Sequence, residues 1–172
     1  MEHSHEELRK EGLKSRVLTV STSRDDKTDK SGKIITNLLK ESGHSVDSYE
    51  VVPDDPAQIA EEIERSAGSD GRVLIITGGT GLSRWDQTVD VLMDVEDKEL
   101  PGFVELFRSM SYDEIGPRAG LSRARAAAVG DTLVFALPGS PGAVKLGMEK
   151  LILPVIGHAI YEMDKEGGAD GG

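Results

Sequence analysis

The first half of the chain alternates between short apolar runs and amphipathic stretches. The runs are rich in β-branched residues and predict strands over residues 17–21, 46–52 and 73–76. After each run, apolar residues recur every three or four positions, which predicts a helix. The apolar stripes of these helices are Ile34, Ile35, Leu38 and Leu39, then Ile59, Ile63 and Ala67, then Val91, Leu92 and Val95. Strands that alternate with helices predict an α/β fold with a mostly parallel sheet and right-handed crossovers.

Capping residues mark where these helices are expected to begin. Ser31 is expected to cap the first helix, and Thr88 the third. The second helix has the clearest start signal, with Asp55 as the N-cap, Pro56 at the first helical position and Gln58 at the third.

The second half of the chain adds further packing elements and a hairpin. Residues 103–110 carry Phe and Met side chains at helical spacing, which favours core packing. Residues 124–129 and 132–137 flank Gly130 and Asp131, a pair typical of a tight hairpin turn. The sheet is therefore expected to gain an antiparallel edge.

Helical patterns return near the end of the chain. A helix over residues 144–151 is expected to be broken at Pro154, and a final helix to follow over residues 155–163. Residues 165–172 are rich in glycine and predict a flexible tail.

The length of 172 residues suits one domain, which we assign to residues 16–164. Residues 1–15 predict a charged tail. Two histidines in it, His3 and His5, stand among glutamates, and we interpret them as part of that tail rather than as a metal site.

Composition narrows the classes of partner. Asp and Glu outnumber Lys and Arg by 31 to 20, so the net charge of −11 disfavours nonspecific binding to nucleic acid or to a membrane surface. The chain has no cysteine, no run of eighteen apolar residues and no signal-peptide pattern. We therefore expect a cytoplasmic protein in which an anionic substrate needs local basic residues or a metal ion.

A glycine-rich loop, Thr77-Gly78-Gly79-Thr80-Gly81, follows the third predicted strand directly. It lacks the Lys-Ser/Thr ending of a P-loop and the Gly-x-Gly-x-x-Gly spacing of a dinucleotide fold. Glycine lets the backbone adopt positive φ and approach a ligand closely. Such a loop at the carboxyl end of a strand favours an anion.

Two carboxylates accompany this loop at strand ends, Asp54 after the second strand and Asp86 after the glycines. Oxygen ligands of this kind suit Mg²⁺, which commonly binds one or two carboxylates together with substrate phosphates. The combination points to phosphoryl or nucleotidyl transfer.

Each of these features also has a purely structural explanation. Asp54 could be a turn residue, Asp86 could favour the start of the following helix, and the glycines could form a tight connection without a ligand. Arg24 and the neighbouring lysines could be solvated surface charges, and the serines near strand ends are common caps and turn residues.

Three motifs in this order resemble the MoaB/MogA family of molybdenum cofactor biosynthesis proteins. They are the glycine loop with residues 84–88, then Leu100-Pro101-Gly102-Phe103, then Leu137-Pro138-Gly139-Ser140-Pro141. The resemblance covers residues 17–161. Residues 107–116, which include Ser111-Tyr112-Asp113-Glu114-Ile115-Gly116, are similar to the MoaB branch in particular.

The resemblance implies a three-layer α/β/α molybdopterin-binding fold and a molybdopterin adenylyltransferase, which converts Mg-ATP and molybdopterin to adenylyl-molybdopterin and pyrophosphate. By the same resemblance, Asp54 and Asp86 are the catalytic and Mg²⁺-binding residues. The nucleotide-binding residues would be Thr77, Gly78, Gly79, Thr80 and Gly81. The molybdopterin-binding residues would be Ser21, Ser23, Asp29, Ser31, Gly32, Pro138, Gly139, Ser140 and Pro141.

The family also implies a homotrimer or homohexamer, for which residues 103–110 offer a contact surface, and the molybdate-insertion protein of the pathway as a candidate partner. The chain departs from the family where Arg-Asp-x-Thr-Pro-Glu is common, since it has Trp85-Asp86-Gln87-Thr88-Val89-Asp90. A non-catalytic molybdopterin-binding or carrier protein is therefore the alternative to the enzyme.

Overall fold

The structure, a computed structural model, describes residues 12–165. Its strands are β1 Lys14–Val20, β2 Ser45–Val52, β3 Val73–Thr77, β4 Lys98–Glu99, β5 Arg125–Val129 and β6 Thr132–Leu137. Its α-helices are α1 Lys30–Glu41, α2 Pro56–Ala67, α3 Thr88–Val95, α4 Pro101–Ile115, α5 Pro141–Gly147 and α6 Leu153–Asp164. A 3-10 helix, Gly116–Leu121, follows α4, and a π-helical segment, Met148–Ile152, joins α5 to α6.

Within residues 12–165 the strands form one six-stranded sheet in the order β2-β1-β3-β6-β5-β4. The first four strands in this order are parallel, and β5 and β4 are antiparallel to their neighbours. This confirms the mostly parallel sheet with an antiparallel edge. The hairpin contributes to that edge only through β5, because β6 pairs with β3 inside the sheet. The short β4, which the sequence pattern did not predict, closes the edge.

Two hydrophobic cores, one on each face of the sheet, confirm the three-layer arrangement. Helices α1, α4, α5 and α6 pack on one face, and α2 and α3 pack on the other. In β3, Val73 and Ile75 belong to the first core, whereas Leu74 and Ile76 belong to the second. A strand covered on both faces has no solvent side, which explains why this run is apolar without alternation.

Two of the three predicted helix caps are wrong. In both cases the predicted capping side chain makes a tertiary hydrogen bond instead. The N-cap of α1 is Asp29, not Ser31, and Asp29 accepts a hydrogen bond from the N–H of Gly32. Thr88 is the first residue of α3, after Gln87. The predicted start of α2 at Asp55 is confirmed, because its carboxylate accepts from the N–H of Ala57.

The prediction that Pro154 breaks the last helical stretch is also wrong. Pro154 lies in the first turn of α6, where a missing N–H is tolerated. The preceding π-helical segment keeps the chain helical from α5 into α6.

Helix α4 divides the predicted Phe and Met stripe between two environments. Phe103 stacks edge-on against Phe135 of the sheet at 5.2 Å between ring centroids, and Phe107 is fully buried. Leu106, by contrast, is 54% exposed. Only part of the stripe is therefore core.

Strand β1 begins at Lys14, two residues before the assigned start of the domain, and α6 ends at Asp164. Residues 1–11, with His3 and His5, and residues 166–172 of the Gly-rich tail lie outside the described residues. Across residues 12–165, no helix is long and apolar enough to span a membrane.

The carboxylate of Asp29 ties the start of α1 to two strands. Asp29 is completely buried and accepts hydrogen bonds from the hydroxyl of Thr19 on β1, at 2.5 Å, and from the hydroxyl of Tyr49 on β2. Burial by itself would raise the pKa of Asp29, but these bonds and the N–H of Gly32 outweigh it and hold the pKa below its usual value of 3.8. Burial and the contact with Asp29 raise the pKa of Tyr49, so its hydroxyl stays protonated and donates.

Replacing Asp29 with Asn is expected to lower the free energy of unfolding by about 1–3 kcal/mol at neutral pH, because buried donors lose their ionised acceptor. Since the pKa is lowered on folding, this stabilisation is present above the unfolded pKa and is lost as pH falls through the folded pKa. Urea denaturation from pH 7 downwards should show the gap between Asp29→Asn and the unmodified protein narrowing below about pH 4.

Asp94→Asn provides the control for this experiment, because Asp94 is exposed on α3. Its stability should follow the unmodified protein at every pH. A gap for Asp29→Asn that persists unchanged into acid would contradict the role given to the Asp29 carboxylate.

Candidate functional site

The four parallel strands have their carboxyl ends at the same end of the sheet. A cleft of about 570 Å³ lies there. Strand β1 leads to α1 on one face of the sheet, whereas its neighbour β3 leads to α3 on the other face. Adjacent loops that leave in opposite directions produce a crevice, which is where open α/β sheets bind ligands. The cleft is therefore a direct result of the strand order.

The glycine loop presents more hydrogen-bond donors than acceptors to this cleft. The carbonyl oxygens of Gly78 to Gly81 all accept from the protein, through the hydroxyl and N–H of Thr88 and the N–H and guanidinium of Arg123. Among residues 12–165, the N–H groups of Gly79, Thr80 and Gly81 find no acceptor. An anion in the cleft would satisfy them, because successive free N–H groups form an anion-binding nest.

The loop needs glycine at two adjacent positions for steric reasons. Gly78 and Gly79 have φ of 95° and 69°, a region that side chains rarely adopt. A Cβ on Gly78 would clash with the carbonyl oxygen of Val20 on β1, and one on Gly79 with the hydroxyl of Thr88. The glycines therefore allow the loop to pass close to both β1 and α3.

Asp54 and Asp86 both line the cleft, and each is held through one oxygen. Oδ2 of Asp54 accepts from the hydroxyl of Thr22 at 2.8 Å, and Oδ2 of Asp86 accepts from the N–H of Ser83 at 3.0 Å. Within residues 12–165, Oδ1 of each carboxylate accepts no hydrogen bond. Carboxylate oxygens are the kind of ligand that Mg²⁺ prefers.

A cation at this position would require ligands beyond the two carboxylates. Across the described residues, no group of three or more His, Asp or Glu side chains is placed to hold a metal ion. The remaining ligands would therefore be phosphate oxygens or water, as is usual for Mg²⁺ at phosphate-transfer sites.

Two arginines supply positive charge to the cleft, although the protein as a whole carries −11. Arg24, for which sequence reasoning favoured solvated surface, lines the cleft and donates from Nη1 to the carbonyl oxygen of Gly139 at 3.2 Å. Arg118, on the 3-10 helix, also lines the cleft. The cleft thus combines the two carboxylates with two guanidinium groups.

The loop after β6 is pinned to its neighbours through its carbonyl oxygens. Thr77 donates to Pro138, and Ser31 donates to Gly139 at 2.8 Å, beside Arg24. Ser140 caps α5 by accepting from the N–H of Ala143. Side chains from β3 and α1 therefore fix the position of this wall.

The structure brings most of the predicted site residues into the cleft. Those that line it are Ser21, Ser23, Asp54, Thr77, Gly78, Gly79, Thr80, Gly81, Asp86, Pro138, Gly139 and Ser140. The others, Asp29, Ser31, Gly32 and Pro141, do not line it. Asp29 and Ser31 are buried behind the residues that line the cleft. Asp29 caps α1, and Ser31 donates to the carbonyl oxygen of Gly139.

Sequence reasoning missed one wall of the cleft, contributed by the second half of α4 and the 3-10 helix. This wall comprises Phe107, Ser111, Ile115, Arg118, Leu121 and Ser122. Ser111 lies one helical turn after Phe107, on the inward face of α4, so helical periodicity from the core stripe could have found it.

Trp85 lies outside the cleft lining. It is 63% exposed, and the guanidinium carbon of Arg84 lies 4.7 Å from its ring centroid. Such cation–π contacts contribute little at exposed sites, about 0.5–1 kcal/mol.

Replacing Gly78 with Ala is expected to destabilise the protein by at least about 1–3 kcal/mol, since the new Cβ meets strand backbone and φ is unfavourable. Gly102→Ala is the matched control, because nothing lies near a Cβ there and α4 tolerates alanine. Urea titrations should show a loss for Gly78→Ala alone. Equal stability of the two variants would mean that the loop relaxes freely.

Comparisons with known proteins converge on one family. The family model described as "Probable molybdopterin binding domain" matches residues 16–158. Molybdenum cofactor biosynthesis protein B of Bacillus cereus is 42% identical over 166 residues, covering 94% of this chain and 97% of that protein.

Solved structures agree with the sequence matches. The crystal structure of a molybdenum cofactor biosynthesis protein B has a TM-score of 0.88 at 43% identity, covering 91% of this chain and 98% of that one. The tungsten cofactor synthesizing protein MoaB from Pyrococcus furiosus has a TM-score of 0.83 at 34% identity, with 91% and 99% covered. The chain therefore belongs to the MoaB/MogA family of molybdenum cofactor biosynthesis proteins.

Proposed function

We propose that the protein is a molybdopterin adenylyltransferase that uses Mg-ATP. The observation that carries the proposal is that one cleft combines three loop N–H groups with two carboxylates. Among residues 12–165, these N–H groups have no acceptor and one oxygen of each carboxylate has no donor. Free N–H groups bind phosphate, and oriented carboxylates bind the cation that accompanies ATP. A binding site for an uncharged ligand would need neither.

The proposed reaction transfers AMP to the terminal phosphate of molybdopterin. An oxygen of that phosphate forms a bond to the α-phosphorus of ATP, the bond from this phosphorus to the bridging oxygen breaks, and pyrophosphate leaves. The attacking phosphate is already ionised at neutral pH, so no general base is required. The main work of the protein is alignment of the two phosphates and neutralisation of their charge.

Each part of the cleft has a role in this scheme. The N–H groups of Gly79 to Gly81 bind nucleotide phosphate, and Asp54 and Asp86 would hold Mg²⁺. When bound, this ion would neutralise charge on the phosphates. The loop of Ser21 and Ser23 and the wall of Pro138 to Ser140 bind the pterin end, with Asp29, Ser31 and Gly32 supporting them from behind.

The oligomeric state belongs to the same proposal, and we infer a homotrimer or a hexamer of two trimers. Leu106 on α4 is 54% exposed although it belongs to an apolar stripe. We therefore choose Leu106 as the residue at which the proposed contact is tested.

Replacing Leu106 with Asp is expected to shift the protein to smaller species, because a charge at an apolar contact opposes association. Light scattering coupled to size-exclusion chromatography measures the mass directly. Met93→Asp is the control, since Met93 is 51% exposed on α3 at the other face of the sheet. An unchanged mass for Leu106→Asp would place the contact elsewhere.

Asp54→Asn and Asp86→Asn are each expected to reduce pyrophosphate release by about 10²-fold or more, because a lost carboxylate weakens charge neutralisation at the reacting phosphates. The assay supplies Mg-ATP and molybdopterin and measures pyrophosphate with time. Asp94→Asn is the charge-matched control, because Asp94 is exposed on α3, outside the cleft.

Three outcomes have distinct meanings. Release that requires both substrates and falls only in the two cleft variants supports the adenylyltransferase. Release that is equal in Asp86→Asn and Asp94→Asn would refute the role of Asp86. No release by the unmodified protein, together with tight molybdopterin binding, would favour the carrier alternative.

A further inference from the structure

Arg118 is unusual among the arginines of this protein. Across residues 12–165, every other arginine contacts a carboxylate, a hydroxyl, a carbonyl oxygen or an aromatic ring. The guanidinium of Arg118 makes no such contact, although Asp113 and Glu114 precede it closely. An arginine that forms no ion pair with its acidic neighbours keeps all its N–H donors available for a ligand.

The backbone beneath Arg118 is firmly held. Its 3-10 helix begins at Gly116, which has φ of 67°, and Ala119 is buried with 2% exposure. At the far end, Arg108 of α4 donates twice to the carbonyl oxygen of Ser122, at 3.1 and 3.0 Å. The exposed side chain of Arg118, which lines the cleft, is thus carried by a fixed backbone.

The charge balance of the cleft gives Arg118 a function. The charged lining groups among the described residues are Asp54, Asp86, Arg24 and Arg118, two of each sign. Without a cation these charges cancel. A Mg²⁺ ion on the two carboxylates would leave the guanidinium groups to attract anionic substrate, and Arg24 already uses one donor on Gly139.

We propose that Arg118 binds a phosphate group of substrate in the cleft that it shares with the glycine loop. Guanidinium groups bind phosphate with two parallel hydrogen bonds, which gives direction as well as strength. Ile115 and Leu121 on the same wall offer apolar surface beside that charge. The inference rests on the proposed function for its substrates, and it concerns binding rather than turnover.

The test measures binding by calorimetry for Arg118→Gln, Arg118→Lys and the unmodified protein. The probes are Mg-ATP, inorganic pyrophosphate, molybdopterin and dephosphorylated molybdopterin. Arg118→Gln should weaken binding of a phosphate-bearing probe by about ten- to hundredfold, as expected for a lost charge-assisted contact. Arg118→Lys should restore part of the loss, because it keeps the charge but not the paired geometry.

Arg65→Gln is the matched control, since it also removes one positive charge but Arg65 lies on α2 with Glu61 and Glu62. Its binding should equal that of the unmodified protein, and melting temperatures of all variants should agree. Weaker binding of both ATP and pyrophosphate would assign Arg118 to the nucleotide. Weaker binding of molybdopterin alone, with the dephosphorylated form unaffected, would assign it to the second substrate.

The inference is overturned if Arg118→Gln binds every phosphate-bearing probe as Arg65→Gln does, or if the unmodified protein binds none of them. Its failure is separable from that of the adenylyltransferase. Absent pyrophosphate release with impaired binding by Arg118→Gln would reject the reaction and keep the phosphate site. Normal pyrophosphate release, together with unimpaired binding by Arg118→Gln, would keep the reaction and reject the phosphate site at Arg118.

Discussion

The hydrogen bonds to the carbonyl oxygens of the glycine loop determine the chemistry of the cleft. Thr88 and Arg123 donate to all four carbonyl oxygens from Gly78 to Gly81, whereas among residues 12–165 the N–H groups of Gly79, Thr80 and Gly81 find no acceptor. This arrangement depends on the contact of α3 with the loop, because Thr88 is the first residue of that helix. The packing of a helix start thereby converts a neutral backbone into a site that favours negative charge.

Hydrogen bonds to carbonyl oxygens also fix the loop after β6, which forms the neighbouring wall of the cleft. Carbonyl groups of Pro138 and Gly139 accept hydrogen bonds from Thr77 of β3, Ser31 of α1 and Arg24 of the loop between β1 and α1. Polar side chains near strand ends therefore serve two tasks. Some line the cleft, and others fix the backbone that lines it. Mutations in the second group would alter ligand binding without any direct contact.

Much of the fold could be predicted from local patterns, whereas features that depend on tertiary contacts could not. The β3 run and the Asp55-Pro56 start carry their signals within a few residues, so both were found. Ser31 and Thr88 have the side chains of typical caps. Their hydroxyls instead donate to the carbonyl oxygens of Gly139 and Gly78, which lie outside the two helices. In the site, Asp54 and Asp86 could be inferred from their position after strands. Arg118 could not, because its place in the cleft depends on how α4 folds back over the sheet.

Asp29 has one further consequence, for the loop that joins β1 to α1. Its buried carboxylate fixes the end of this loop, and the hydrogen bond from the N–H of Ser21 to Val52 fixes the beginning. A chain segment anchored at both ends samples few conformations, and Asp25 restricts it further by bonding Thr28. Ordering the loop around a ligand therefore costs little entropy, so more of the contact energy is retained as affinity.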